Sequence, residues 1–332
     1  MNIQAKQGKC FSCCQQKALT EEHIIPQALG GKYSAWIYCK DCNDNFGREI
    51  DSELVKNLGY FSTILEIDRD RGKNQPYDIS VVKDSTELTH DGKKLARKKP
   101  VVKIEKVDDN IKSIDIRARS ESELDKIIEG VKRKYKLGGS VKKIYEEHPG
   151  PTDTKRDFVF DNSLIRRAVA KIVYSLICIK LPESYVLSVP FDNIREYIRF
   201  GCEKDLAAAN FTHTDFMTDY TRPLHKIHIS LNRCNNLVAG FVCLFGTFRY
   251  TVLVSDNFES LFEWPGLDYT FDPVTSREIF GNPNFKAPEL NVNQLISPRH
   301  SKQFVLDELS KGHKILESYI EDYQFLKMEL DH

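Results

Sequence analysis

Apolar positions along the chain fall into blocks of helix period and blocks of strand period. In "CNDNFGREIDSELVKNLG", which begins at Cys42, Phe46, Ile50, Leu54 and Leu58 recur every four residues. That spacing predicts a helix with Cys42 and Asn43 on its first turn and Gly59 as its stop. From about Tyr77 to Arg119 the pattern alternates instead. "YDISVVKD", "PVVKIEKV" and "IKSIDIRA" predict strands, and "HDG" at His90 to Gly92 offers a hairpin turn. Ser120 and Glu123 form a capping box for the helix "ESELDKIIEGVKRKYKL", whose late lysines and Arg133 suit the helix dipole. Glycines and prolines then mark a linker near residues 138–157. Asn162 or Ser163 can cap "LIRRAVAKIVYSLICIK", where an apolar pair recurs every four residues, as in a deeply buried helix. Arg166, Arg167 and Lys171 share its polar side and are expected to form salt bridges at a surface or between domains, with phosphate binding as the alternative. "HKIHISLNRCNNLVAGFVCLFGTFRYTVLVS" predicts three strands with tight turns at Cys234 to Asn236 and at Gly246, and a closing helix from about Ser301 to Leu330. The fold class expected is α+β, divided into residues 1–59, a small basic α+β region at 60–150, and a C-terminal α+β domain at 151–332.

A chain of 332 residues with 41% hydrophobic and 29% charged residues is that of a soluble globular protein with a real core. No apolar run approaches the roughly 18 residues that span a bilayer, so no membrane partner is expected. The start "MNIQAKQGKCFSC" lacks a signal-type apolar stretch, which points to the cytoplasm. Thiols stay reduced there, so paired cysteines favour a metal over a disulfide. The formal net charge of zero gives no global pull toward nucleic acid. One segment is locally basic: "KKLARKKPVVK" carries Lys93, Lys94, Arg97, Lys98, Lys99 and Lys103 with no acid. It reads as a hairpin edge kept soluble by lysines, or more sharply as a strip that contacts phosphates, with Lys93, Lys94, Arg97, Lys98 and Lys99 as its members.

Cys10 and Cys13, then Cys39 and Cys42, form two Cys-x-x-Cys pairs with 25 residues between them. This is structural zinc spacing, the second pair opening a helix whose N-terminus favours thiolates. Such a site contributes roughly 10–16 kcal/mol of apparent binding energy, enough to fold a small module with little core. Cys14 is a spare beside four ligands that already close the site. Cys178, Cys202, Cys234 and Cys243 lie in mostly apolar contexts and are expected to be buried small hydrophobes. His225 and His228 are three apart on a strand and should face opposite sides, against a shared metal.

Between the cysteine pairs lies "TEEHIIPQALGG". Together, "CFSC", "EHIIPQALGG" and "CKDCNDNFG" resemble the HNH endonucleases of the ββα-metal finger class, over about Lys9 to Leu58. The resemblance implies a zinc-held finger in which Glu22 and Asn43 bind a catalytic Mg²⁺ or Mn²⁺ and His23 is the general base. That chemistry is coherent. Phosphodiester hydrolysis needs a deprotonated water and a hard cation at the phosphate, and an imidazole titrates near working pH. The sequence departs from the family in two places. "KYSAWIY" lacks the usual central Asn, leaving Ser34 or a backbone carbonyl to orient His23. Phe46-Gly47 stands where many relatives carry a Lys.

The function expected is therefore a metal-dependent endonuclease acting on double-stranded DNA. The family context is bacterial restriction or phage defence, with residues 151–332 giving specificity or control through a ligand or modified base. A homodimer would let two fingers cut both strands. The competing reading is a non-catalytic zinc module that binds nucleic acid or a protein partner.

Overall fold

The computed structural model describes residues 6–69, 75–83, 86–90, 95–107, 110–118, 120–138, 141–142, 154–157, 159–219, 221–232, 236–258, 266–279 and 287–330. By its contacts the chain forms two compact units, one of residues 1–73 with 159–332, the other of residues 74–158.

The first unit opens with three antiparallel strands in order, β1 (Gln7–Lys9), β2 (Gln16–His23) and β3 (Ser34–Cys39). β3 runs straight into α1 (Lys40–Phe46), which passes through one π turn, Gly47–Asp51, into α2 (Ser52–Ile64). Ile50, Leu54 and Leu58 are fully buried, as their four-residue spacing requires. Gly59 does not end the helix. The apolar stripe continues to Phe61 and Leu65, both nearly buried, and burying one such side chain is worth about 1.5–3 kcal/mol. A mid-helix glycine costs only about 1 kcal/mol.

In the second unit β4 (Tyr77–Val81), β5 (Glu87–His90) and β6 (Leu95–Arg97) form an antiparallel meander, and β7 (Val101–Val107) pairs with β8 (Asn110–Arg117) as a separate hairpin. His90 pairs with Leu95, while Asp91 and Gly92 of the expected turn lie outside the described residues. α3 (Glu121–Tyr135) starts where Ser120 accepts a hydrogen bond from the Glu123 N–H. Within the expected linker, β9 (Thr154–Lys155) adds an edge to β4.

The first unit resumes with α4 (Ser163–Lys180), capped by the Asn162 side chain, which accepts from Ile165 N at 2.8 Å. α5 (Glu183–Val186) and α6 (Asp192–Phe200) follow, then β10 (Ala207–Ala209), β11 (His225–Asn232), β12 (Leu237–Leu244), β13 (Phe248–Ser255), β14 (Leu267–Asp272) and β15 (Arg277–Glu278). These strands make a six-stranded antiparallel sheet in the order β10-β13-β12-β11-β14-β15. α7 (Val292–Ile296) and α8 (Lys302–Leu330) close the chain. β12 and β13 are buried along their whole length, so both faces of the sheet centre are covered. α4 covers part of one face, touching β10, β12 and β13, and it also contacts β3 and α2. A Cβ on Gly240 of β12 would lie 2.5 Å from Val173 Cγ1, so helix and sheet meet closely there. α4 therefore lies between the N-terminal finger and the sheet. Among the described residues no helix is long and apolar enough to cross a membrane.

Candidate functional site

Cys10 and Cys13 lie in the loop between β1 and β2, where Cys14 N–H donates to Cys10 O at 2.8 Å and Cys14 takes φ 59°. This tight left-handed turn brings the two sulfurs of the first pair to one side. Cys39 ends β3 and Cys42 lies on the first turn of α1, so strand and helix supply the second pair. All four ligand atoms lie within 4.8 Å of one another, and Cys13 Sγ is 3.9 Å from Cys39 Sγ. A tetrahedron with 2.3 Å zinc–sulfur bonds has edges of about 3.8 Å, so the cluster could hold zinc. The Cys42 thiol and the backbone N–H groups of Cys13, Cys39 and Ser12 bring the Cys10 thiol down to about 4, against its burial. The same contact with Cys10, with burial, pushes the Cys42 thiol up.

The end of β2 carries Glu21, Glu22 and His23. Its register against β3 slips between Thr20, opposite Tyr38, and Glu21, opposite Trp36, leaving Ile37 as a bulge. Beyond the slip the strand alternates: Glu21 is exposed, Glu22 buried and His23 half-buried. Asn43 on α1 donates its amide to Thr20 Oγ1 and to the Glu21 carbonyl, both at 3.0 Å. The helix amide, on the residue directly after Cys42, is thereby fixed against the strand. Ser34, cross-strand from His23, donates to Glu21 Oε1 at 2.6 Å rather than serving the imidazole in the way its position allowed. The strand then turns through "IIPQALGG", where Gly30 takes φ 92° and a Cβ on Gly31 would collide with the Ile25 carbonyl.

Glu22 points the other way. Only 6% exposed, its carboxylate receives the ammonium of the fully buried Lys171 from α4, and Lys171 Nζ also donates to Asp51 Oδ2 at 2.6 Å. Burial pulls the Lys171 pKa down, yet the two carboxylates raise it overall and hold it charged. Burial, with Asp51 alongside, pushes the Glu22 carboxyl up against the pull of Lys171. One ammonium is shared between the buried Glu22 carboxylate and the partly buried Asp51. Arg167 adds a bond to Glu49 Oε2 at 3.2 Å, Ser175 meets Tyr38 OH at 3.0 Å, and Tyr174 OH donates to Phe11 O at 2.9 Å. The expected salt-bridging role of Arg167 and Lys171 is thus met by bonds onto the finger. Arg166 instead pairs with Asp161 and Asp205.

His225, set by its spacing on the opposite strand face from His228, has a structural role that its spacing does not show. It is fully buried, its Nε2–H donates to Leu29 O at 2.8 Å, and its Nδ1 accepts from Phe245 N at 3.2 Å. The sheet thereby holds the turn that follows His23. Burial lowers the His225 pKa to about 4. His228 faces the other side of β11, with Nδ1 at 2.6 Å from Asp268 Oδ1. Cys178 and Cys243 are buried as expected. Cys202 is exposed and donates to Lys204 O at 2.6 Å, because it follows the end of α6 in a polar loop; Cys234 lies outside the described residues. Of the basic strip, Lys93 and Lys94 also lie outside them. Arg97 ends the edge strand β6, Lys98 pairs with Asp78 at 2.6 Å, and Lys99 lies 4.0 Å from Glu87.

A four-cysteine clamp that joins a β-hairpin to the start of a helix, with an acid, an imidazole and an amide beside it, defines a metal-finger unit of ββα type. The HNH endonuclease family model matches residues 10–59, and this segment is an HNH domain. The match covers 50 of the 332 residues, from 10 through 59. No curated protein and no solved structure matches the chain.

Proposed function

We propose that the protein is a metal-dependent endonuclease that hydrolyses DNA phosphodiesters at the end of β2. The observation that carries this reading is the family match over a segment whose cysteines converge and whose Asn43 is bonded to the strand bearing His23. His23 takes the proton of the attacking water as general base. The water oxygen bonds to phosphorus as the bond to the leaving sugar oxygen breaks. The sequence reading gave the cation to Glu22 and Asn43. A hydrated Mg²⁺ or Mn²⁺ suits the solvent-facing side of the strand better, because Glu22 is buried against an ammonium and Mg²⁺ keeps several of its waters. In this proposal Glu21, exposed and on the face of His23, and Asn43 hold the cation. A divalent cation there would offset charge on the phosphate and on the leaving oxygen.

DNA as substrate, a restriction or phage-defence role, a cytoplasmic setting, a C-terminal region that gives specificity through a ligand or modified base, and two copies cutting two strands complete this reading. Nicking of supercoiled plasmid in Mg²⁺ or Mn²⁺ tests the central part. Wild type should nick, and His23→Ala should lose ~10²–10⁴-fold in rate with its zinc and folding retained. Wild type that cuts neither DNA nor RNA with any divalent metal would leave the binding-module reading.

A further inference from the structure

Lys171 lies far outside the matched segment, yet it is the fully buried cation against which two groups of the HNH domain are packed. Glu22, which takes its ammonium, is the residue before His23. Asp51, its other partner at 2.6 Å, ends the π turn that joins α1 to α2. Asp51 and Asn43 are eight residues apart in one helical run, which places them on the same face. The cysteine cluster brings strand and helix together near Cys39 and Cys42; the ammonium joins them again two turns further along. Arg167, Lys171 and Ser175 recur every four residues on α4 and bond to Glu49, to Glu22 with Asp51, and to Tyr38. The helix thus presents a polar stripe fitted to the finger. A lysine buried without such partners would lose its proton or stay unfavourable, and here one partner comes from β2, which carries His23, and the other from the π turn that continues the helix carrying Asn43.

We propose that Lys171 is a positioning residue of the nuclease site, a fixed ammonium that holds the strand end bearing His23 at its working distance from the helix bearing Asn43. The proposal rests on the nuclease reading above. It makes the site a product of two distant sequence segments, with residues 10–59 insufficient by themselves.

Steady-state nicking by the full chain tests it. Lys171→Met leaves the buried Glu22 and the partly buried Asp51 carboxylates facing each other and can lose folding. The charge-neutral triple variant Lys171→Met/Glu22→Gln/Asp51→Asn keeps similar volumes and removes all three charges of this cluster. The triple variant should keep one zinc per chain and a cooperative melt. Its kcat should fall ~10²-fold, the scale of a misplaced catalytic group. KM for DNA should stay within a few-fold, because a buried ammonium touches no substrate. A folded, zinc-loaded triple variant with wild-type kcat would overturn the inference while leaving the nuclease reading intact. So would one whose loss falls in KM. Inactive wild-type protein would remove both, and that pattern is distinct from the others.

Discussion

His225 gives the clearest pH dependence at the scale of one residue. Its folded pKa is about 4, below the ordinary 6.5 or so of an unfolded histidine. Between these values the unfolded chain binds the extra proton, so the stability due to neutral His225 is complete above about pH 6.5 and is lost as pH falls toward 4. The full span is worth about 3 kcal/mol. Urea melts from pH 7 to 4.5 should show the decline in wild type and a shallower one in His225→Gln, whose amide can serve both partners. Parallel curves would remove the assignment. At the strand end, Glu21→Gln should reduce nicking far more than Glu22→Gln, which leaves the bond between Lys171 and Asp51 in place. The reverse order would return the cation to Glu22. The types of the site residues were legible in the sequence, because Cys-x-x-Cys spacing and the Glu-His pair are local features. Which acid faces solvent was not. It depends on the slip at Thr20 and Glu21 and on Lys171, a partner 149 positions away.

Among the elements, α4 was readable from its four-residue stripe, and so were the three central strands from their apolar runs and turns. The helix runs on past Gly59, since tertiary burial of Phe61 and Leu65 outweighs a local preference. The polar residues of α4 could be placed on one side from spacing; their partners could not, as these arrive from the finger. The close approach of α4 to β12 is likewise invisible to periodicity. Gly240→Ala would set a methyl carbon 2.5 Å from Val173 Cγ1, and overpacking of this kind costs about 1–3 kcal/mol. Thermal melts should show that loss, and Gly240→Ala/Val173→Ala should recover part of it. No change in the single variant would mean that the layers are looser than described.

For the whole molecule, the finger and the C-terminal sheet share one compact unit, with residues 74–158 forming another. Boundaries at residues 59 and 150 follow sequence punctuation, whereas contacts follow α4, which reaches both the finger and the sheet. Removing zinc should therefore disturb more than the finger. Chelation should release one zinc per chain and lower the melting temperature of the first unit, and re-addition should restore it. A chain with no bound zinc and an unchanged melt after chelation would refute the clamp. The most direct measurement is an anomalous-difference map of crystals grown with Mn²⁺. Zinc should appear at Cys10, Cys13, Cys39 and Cys42, and manganese on the solvent side of β2 by Glu21 and Asn43, beside His23. An empty cysteine cluster, or manganese bound elsewhere, would contradict it.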